Sequence, residues 1–486
     1  MKDNLFVPSS VDIEAVARLQ KDYPDVYEKL NWMSAETARA AETEQARLLE
    51  SIFRREESAW RFSQTKPHIH DLSPGCILCG EGSWSCLFIN GICNARCFYC
   101  PSAQDNPGPP MTSALEFNRP EAYADYVEQF SIKGVSFSGG EPLLAIDKVL
   151  AFLAGVKSRV SHPVYTWMYT NGILSDKDTF KRLKDQGLDE IRFDLSADQY
   201  NPAGIEKAIG IIPRVTIEIP AIPEDLPRLE ILMRQWADMG VNHLNLHQIR
   251  CTPYNIARLQ KRGYTFTYNQ GVTVLETELA ALRLMDFALE QKIALPVQYC
   301  AYTYRRQFQA AAARKRYAPY VQAGYEDITD NGYIRRLTLA DAPAELEMMC
   351  QRFIENGADP SWYSLSSGKN SLVFSARLLH LVPSSSARLS VSYSAAAIKS
   401  SISYRNLFKT IHLKSGKSVV VEKRMVQPGL AIKRAVFESP DFIPETVDPT
   451  DKETVNAILG YEKFSSGLTR YRDCLFSLET QDVCPA

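Results

Sequence analysis

Cys93-Asn94-Ala95-Arg96-Cys97-Phe98-Tyr99-Cys100 places three cysteines in the spacing C-x3-C-x2-C, directly after the apolar run Cys86 to Ile89. The run reads as a short strand and Asn90-Gly91 as the turn that follows it. Three thiolates on one tight loop form a ligand set for an iron–sulfur cluster, because soft sulfur ligands select iron–sulfur or zinc centres over hard cations. A cubane cluster has four irons, so three cysteines leave one iron open to a substrate or cofactor.

Upstream, Gly75-Cys76-Ile77-Leu78-Cys79-Gly80 reads as a metal knuckle whose glycines let backbone amides approach the sulfurs. In one reading Cys76 and Cys79 hold a second metal or cluster; in the other they are free or redox-paired thiols. Cys86 is either a further ligand or a buried apolar cysteine. Cys300, after the apolar segment Ile293 to Val297, is a distant candidate for closing that site.

Downstream, short apolar runs alternate with helical patterns. Strands are expected at Ser85 to Ile89, Gly134 to Ser138, Tyr165 to Thr170, Glu190 to Leu195, Arg214 to Pro220 and His243 to Ile249. Helices are expected at Pro120 to Phe130, Leu144 to Ser158, Asp176 to Gln186, Pro202 to Ile209 and Leu226 to Met239. The pattern predicts an α/β protein with a partial (β/α)6 barrel, whose chemistry sits at the C-terminal ends of the strands. Those ends carry Gly139-Gly140-Glu141-Pro142, Tyr169-Thr170-Asn171-Gly172, Asp194-Leu195-Ser196-Ala197, Glu218, and Asn245, His247 and Gln248. Glu141 could accept a hydrogen bond from a bound ammonium, and the other groups suit ribose or carboxylate.

A formal net charge of −2 over 486 residues gives no general attraction to nucleic acid or to an anionic membrane. No apolar run approaches the ~18 residues of a membrane span, and the charged start at Met1 to Ala15 points to a cytoplasmic location. Six of the 11 cysteines fall between Cys76 and Cys100, which indicates metal rather than a disulfide framework.

Four regions are expected. Residues 1–74 form a helical extension with helices at Ile13 to Lys29 and Ser34 to Glu57, anchored by Trp32 and Trp60. Residues 75–250 form the barrel with its cysteine knuckle. Residues 251–324 are a helical connection: the stretch Arg250 to Val272, with Cys251-Thr252-Pro253-Tyr254-Asn255 and the Tyr264 to Tyr268 run, would lie across the barrel mouth and contact substrate, and Val274 to Lys292 is a helix. Residues 325–486 form an α+β domain that binds substrate or a partner, with a helix at Ala344 to Asn356, strands at Tyr333 to Leu339 and Asn370 to Leu381, a Ser/Ala-rich stretch at Ser384 to Ser403, a hairpin at Lys409 to Met425 and a surface tail at Pro444 to Asp448. Cys350, Cys474 and Cys484 lack metal-like spacing, and Cys251 lies close in chain to the expected active mouth, where a single cysteine does not establish an acid or radical-quenching role.

The cysteine loop, with an aromatic before its last cysteine and Gly139-Gly140-Glu141-Pro142 behind it, resembles the radical S-adenosylmethionine (SAM) enzymes over residues 84 to 250. The resemblance implies a [4Fe-4S] cluster on Cys93, Cys97 and Cys100, with SAM chelating the open iron. It implies that Gly139, Gly140 and Glu141 cradle the methionine amino group, that Phe98 and Tyr99 lie near adenine, and that Asn171 and Ser196 contact ribose or carboxylate. Reductive cleavage of SAM to a 5'-deoxyadenosyl radical, followed by hydrogen abstraction, is the implied chemistry, with a one-electron donor such as flavodoxin or ferredoxin. Arg96 either tunes cluster charge or satisfies backbone carbonyls.

Gly75 to Cys79, Gly82, Leu87-Phe88, Cys100-Pro101 and Tyr299-Cys300 also resemble proteins described as related to pyruvate formate-lyase activating enzymes. That resemblance groups Cys76, Cys79 and Cys300 in one site, a second iron–sulfur cluster or a single metal. Four readings stand: a small-molecule metabolite as substrate; radical modification of a peptide or protein by glycyl radical activation, crosslinking or methylation; RNA modification at the basic segment Arg305 to Arg316; and a non-enzymatic iron–sulfur protein.

Overall fold

The computed structural model describes residues 20–268, 271–383, 388–432 and 458–471. Seven parallel strands form its centre: β1 (Trp84–Ile92), β2 (Gly134–Gly139), β3 (Tyr165–Thr170), β4 (Glu190–Phe193), β5 (Arg214–Pro220), β6 (His243–His247) and β7 (Val297–Cys300). They pair in chain order. All six expected strands are present, and β7 adds one more parallel strand beyond β6.

Helices join each strand to the next: Pro120–Gln129, Ile146–Arg159, Lys177–Asp185, Ala203–Ala208, Leu226–Asp238 and Leu275–Glu290. Each buries apolar side chains against the sheet or its neighbours. In Ile146–Arg159 the buried residues are Val149, Phe152, Leu153 and Val156, the spacing of one helical face. Along β4 the alternation sends Ile191 and Phe193 into the apolar core and leaves Glu190 and Arg192 bonded to each other inside the barrel. The sheet continues antiparallel at both edges, into Met111–Thr112 beside β1 and Lys66–Ile69 beside β7, and its two ends do not pair among the described residues. The result is a partial barrel with flanking extensions.

Some local expectations change. Asn90-Gly91 lies inside β1 rather than in a turn. The strand carries a register shift between Phe88 and Asn90, and the Asn90 side chain accepts from Ile92 N at 2.6 Å, taking over a bond the irregularity frees. The cysteine knuckle is a short helix, Pro74–Gly80, capped by Ser73 with Pro74 at its first position. Of the helix expected at Ile13 to Lys29, residues up to 19 lie outside the described part. The remainder breaks near Pro24, which has no N–H to donate, and resumes as a single 3-10 turn at Tyr27–Lys29. The second N-terminal helix, Ala35–Phe53, is capped by Ser34 and ends short of Glu57; the Ser58–Arg61 and Lys66–Ile69 hairpin follows it.

The C-terminal part is an antiparallel sheet backed by the helix Pro343–Glu355. The hairpin is present as Leu407–His412 and Ser418–Ala431, and the Ser/Ala-rich stretch contains the strand Leu389–Lys399. Within Asn370 to Leu381 only Leu372–Phe374 is extended. Ser375 caps a 3-10 helix over Ala376–Leu381, because Asp327 accepts from both the Ser375 hydroxyl and Ala376 N. Pro444 to Asp448, Cys474 and Cys484 lie outside the described residues. One continuous apolar core links Leu48 and Ile52, the barrel, and Ile334, Ile398, Val419 and Val421.

Candidate functional site

The cysteine loop follows β1 and faces the C-terminal ends of β2 to β6. Cys93, Cys97, Cys100, Tyr99, Gly139, Gly140, Glu141 and Asn171 line one cavity of about 220 Å³. Ser196 stands beside it through Tyr99. Phe98 does not line it: its ring packs edge-on to Tyr99 and lies 3.6 Å from the Arg262 guanidinium.

The two glycines are required by backbone packing. Gly139 has φ +130°, and a methyl on it would strike the Asn90 carbonyl; a methyl on Gly140 would strike the Ile92 carbonyl. Gly140 N and Glu141 N donate to those same carbonyls, at 2.8 Å each, so the glycine turn locks onto the strand that launches the cysteine loop. Glu141 is 1% exposed and its carboxylate is already engaged: it accepts from Leu143 N at 2.9 Å, Thr170 Oγ1 at 2.9 Å and Asn171 N at 2.7 Å. Burial raises its pKa, and those three donors oppose the rise. Glu141 therefore ties β2 to β3 and sets Asn171, whose amide donates to Asn94 Oδ1 at 2.7 Å and reaches Cys93 Sγ at 3.7 Å.

A second polar group closes the far side. Tyr99 OH lies 3.0 Å from both Asp194 carboxylate oxygens and 2.6 Å from Ser196 Oγ. Burial pushes Asp194 up to about 6, and Cys97 up to about 12 as a free thiol. His247 is pushed down to about 3 by burial and by Arg305, so its imidazole is neutral.

The segment after β6, expected across the barrel mouth against substrate, holds the cysteine loop from outside, through bonds its sequence did not foretell. Thr252 Oγ1 donates to Pro101 O at 2.8 Å, Asn255 Nδ2 to Tyr99 O at 2.8 Å, and Arg258 to Cys97 O at 3.0 Å. Asn255-Ile256-Ala257-Arg258 follows a Thr-Pro turn, and the only signal was its closeness in chain to the end of a barrel strand.

Below the first cavity lies a second of about 540 Å³, which shares Ser138, Tyr169, Glu218, His247, Arg250 and Arg305 with it. Cys76, Cys79, Cys86 and Cys300 all line this deeper space as free thiols. Its floor is charged: Arg192 pairs with Glu190 at 2.9 Å and Glu218 at 2.7 Å and lies under the Trp167 ring. Arg192 also fills the space a methyl on Gly75 would need, which seats the Pro74–Gly80 helix on the floor. Burial pushes Cys79 up to about 12, with Cys300 and Cys76 adding to the rise. Cys300 goes the other way: burial opposes ionisation, but Lys66 and Arg305 outweigh it and hold the thiol below its ordinary range.

Among the described residues no three His, Cys, Asp or Glu side chains are drawn together to metal-binding distance, at the Cys93 loop or elsewhere. The donor chemistry nonetheless fits a [4Fe-4S] cluster at Cys93, Cys97 and Cys100. Three soft thiols face one cavity, Ala95 N and Asn171 Nδ2 supply N–H donors to sulfur, and hydroxyls and a carboxylate lie where SAM would sit. No helix among the described residues is long and apolar enough to cross a membrane.

A family model described as the radical SAM superfamily matches residues 87–219. A Methanocaldococcus jannaschii protein provisionally named a glycyl-radical enzyme activating enzyme is 28% identical over 299 residues, 59% of this chain and 78% of its own length. A Methanosarcina acetivorans protein provisionally named GTP 3',8-cyclase is 36% identical over 135 residues, 26% of this chain and 36% of its own. The chain thus spans only about a third of the cyclase it matches. Among solved structures, Streptococcus suis SuiB bound to S-adenosylmethionine aligns with TM-score 0.34 and 12% identity over 63% of this chain and 68% of that one. The relatives' names support the superfamily and not the narrower pyruvate formate-lyase subgroup. The cysteine loop and the barrel strands behind it thus lie in the stretch of this chain, about a quarter of its length, that matches the radical SAM superfamily.

Proposed function

We propose that this radical SAM enzyme abstracts hydrogen from a peptide or protein, in the manner of glycyl radical activation. When bound, a reduced [4Fe-4S] cluster and SAM would supply a 5'-deoxyadenosyl radical, the electron coming from a flavodoxin- or ferredoxin-type donor. The chain's own residues hold the geometry. Glu141 braces β2 against β3, Asn171 is aimed at Cys93, the Tyr99–Asp194–Ser196 group offers hydroxyl and carboxylate contacts, and Thr252, Asn255 and Arg258 keep the loop in place.

The observation that carries the polypeptide reading is the rim of the site. Ile92, Leu144, Ile173, Leu174 and Tyr254 are 42–60% exposed and sit at the end of β1 and on the segments after β2, β3 and β6. Apolar side chains exposed on several segments at the strand ends that carry the cavity suit a docking polypeptide better than a small polar metabolite. The name of the M. jannaschii relative supports the same reading.

The metabolite reading ranks second and rests on the deeper cavity, where Lys66, Arg192, Arg250, Arg305 and Arg306 would favour an anionic molecule. Incubation with SAM and reductant under anaerobic conditions, using protein and small-molecule fractions from cells grown on α-deuterated glycine, separates the two. Deuterium in 5'-deoxyadenosine from the protein fraction supports the proposal; transfer from the small-molecule fraction alone refutes it. Cys97→Ala should form no 5'-deoxyadenosine in either case.

A further inference from the structure

We propose that Cys76, Cys79 and Cys300 hold a second iron–sulfur cluster inside the barrel, with one coordination position open to the cavity it shares with the first. The Pro74–Gly80 helix sets Cys76 and Cys79 three residues apart, on the same side of the turn, and β7 ends at Cys300. All three line the deeper cavity. Nothing in this argument depends on the polypeptide reading of the substrate.

Two independent features of the surroundings point to a ligand. The first is a shell of N–H donors aimed at sulfur. Cys76 Sγ accepts from Gln298 Nε2 at 2.7 Å and Asn245 Nδ2 at 3.4 Å, Cys79 Sγ from Gln309 Nε2 at 2.8 Å, and Cys300 Sγ from Arg305 Nε at 3.4 Å. Such donors stabilise thiolate ligands and tune a bound cluster. The second is charge. Lys66 is 1% exposed, with its ammonium 4.4 Å from the Tyr304 ring, and Arg305 lies in the cavity wall. Among the described residues neither forms an ion pair with a carboxylate. Buried cations need a counter-charge, and three thiolates supply it.

Cys86 shares the cavity but is bonded to the Ser136 and Ser138 hydroxyls on the β1–β2 side, so it is left out of the ligand set. With three cysteines, a cubane keeps one iron for an outside ligand. Because Glu218, His247 and Arg250 border both cavities, that position opens toward the space where substrate would meet the first cluster.

The test counts iron with the first site removed. Full-length Cys93→Ala/Cys97→Ala/Cys100→Ala protein, reconstituted anaerobically with ferrous iron and sulfide, should retain roughly four irons and four sulfides per chain. No iron in a variant with a native circular dichroism spectrum, or zinc alone in protein as purified from cells, would overturn the proposal. The reciprocal Cys76→Ser/Cys79→Ser/Cys300→Ser protein should lose that same amount while its remaining reduced cluster still changes its EPR spectrum on adding SAM. Iron equal to the unmodified protein would overturn the proposal even if the first variant fails to fold. Absence of any SAM response in the unmodified protein would strike the radical SAM reading and leave the iron count of the first variant standing.

Discussion

Replacing Asn255 by Ala should loosen the cluster loop without touching a cysteine. The Asn255 side chain is fully buried, accepts from Thr252 N at 2.8 Å, and donates to Tyr99 O at 2.8 Å and Arg250 O at 3.0 Å. Three buried bonds at about 1 kcal/mol each, with two carbonyls and one amide left partly unsatisfied, come to about 3–5 kcal/mol. For a chain of this size that is a fall in Tm of about 3–5 °C in metal-free protein. Asn255→Asp keeps the acceptor but turns a carboxylate oxygen toward two carbonyls, so it should cost at least as much. Scanning calorimetry of the metal-free proteins, followed by anaerobic iron retention after gel filtration, measures both effects. A Tm within about 1 °C of the parent for Asn255→Ala would refute the claim that this side chain holds the loop.

Gly140→Ala should cost about 3 kcal/mol or more, because the methyl meets the Ile92 carbonyl rather than a movable side chain; soluble yield and Tm report it, and an unchanged Tm would count against the packing described. Glu278 is buried, accepts from Tyr299, Tyr471 and Gln45, and has its pKa raised by that burial. The folded form therefore binds its proton more tightly than the unfolded form, and stability should fall as pH rises from about 4.5 through the raised value. Glu278→Gln should flatten that slope in denaturation curves taken across pH 4 to 8. Ser34→Ala removes the cap of the Ala35–Phe53 helix, whose Oγ accepts from Thr37 N at 3.1 Å; the loss should be about 1 kcal/mol, and hydrogen exchange at the first turn should quicken.

Strand and helix periodicity made the barrel readable, because short runs rich in apolar residues, β1 to β6, alternate with helical patterns along the chain. β7 was read as an apolar segment only: four residues carry too little pattern, and its pairing with β6 is a long-range fact. In Leu389–Lys399 the buried alternation of Leu389, Val391 and Tyr393 is diluted by serine and alanine, which favour strands weakly. At the site, the cysteine spacing was visible, and so was the polarity of the strand ends. What spacing could not convey is which bonds are already spent. Glu141 looks like a free carboxylate in sequence, yet three protein donors occupy it. Phe98 looks equivalent to Tyr99, yet only Tyr99 faces the cavity, since adjacent residues on a tight loop point to different sides. The charged lumen, with Arg192 between Glu190 and Glu218, is built from residues 28 apart in chain, and local pattern has no access to it.

The strand Lys66–Ile69 pairs with β7 at Val297↔Ile69 and Gln298↔His68. On the ribosome, that early hairpin must therefore wait while more than 200 further residues emerge before its neighbour exists. Contacts of such sequence separation slow folding and leave an unpaired strand edge exposed in the meantime. Cys79 and Cys300 meet only at this last step, so metal offered during synthesis would find the Cys93 loop long before the deeper group of thiols. Loading order, and with it any dependence on a dedicated iron–sulfur carrier, would then be written into the topology of the sheet.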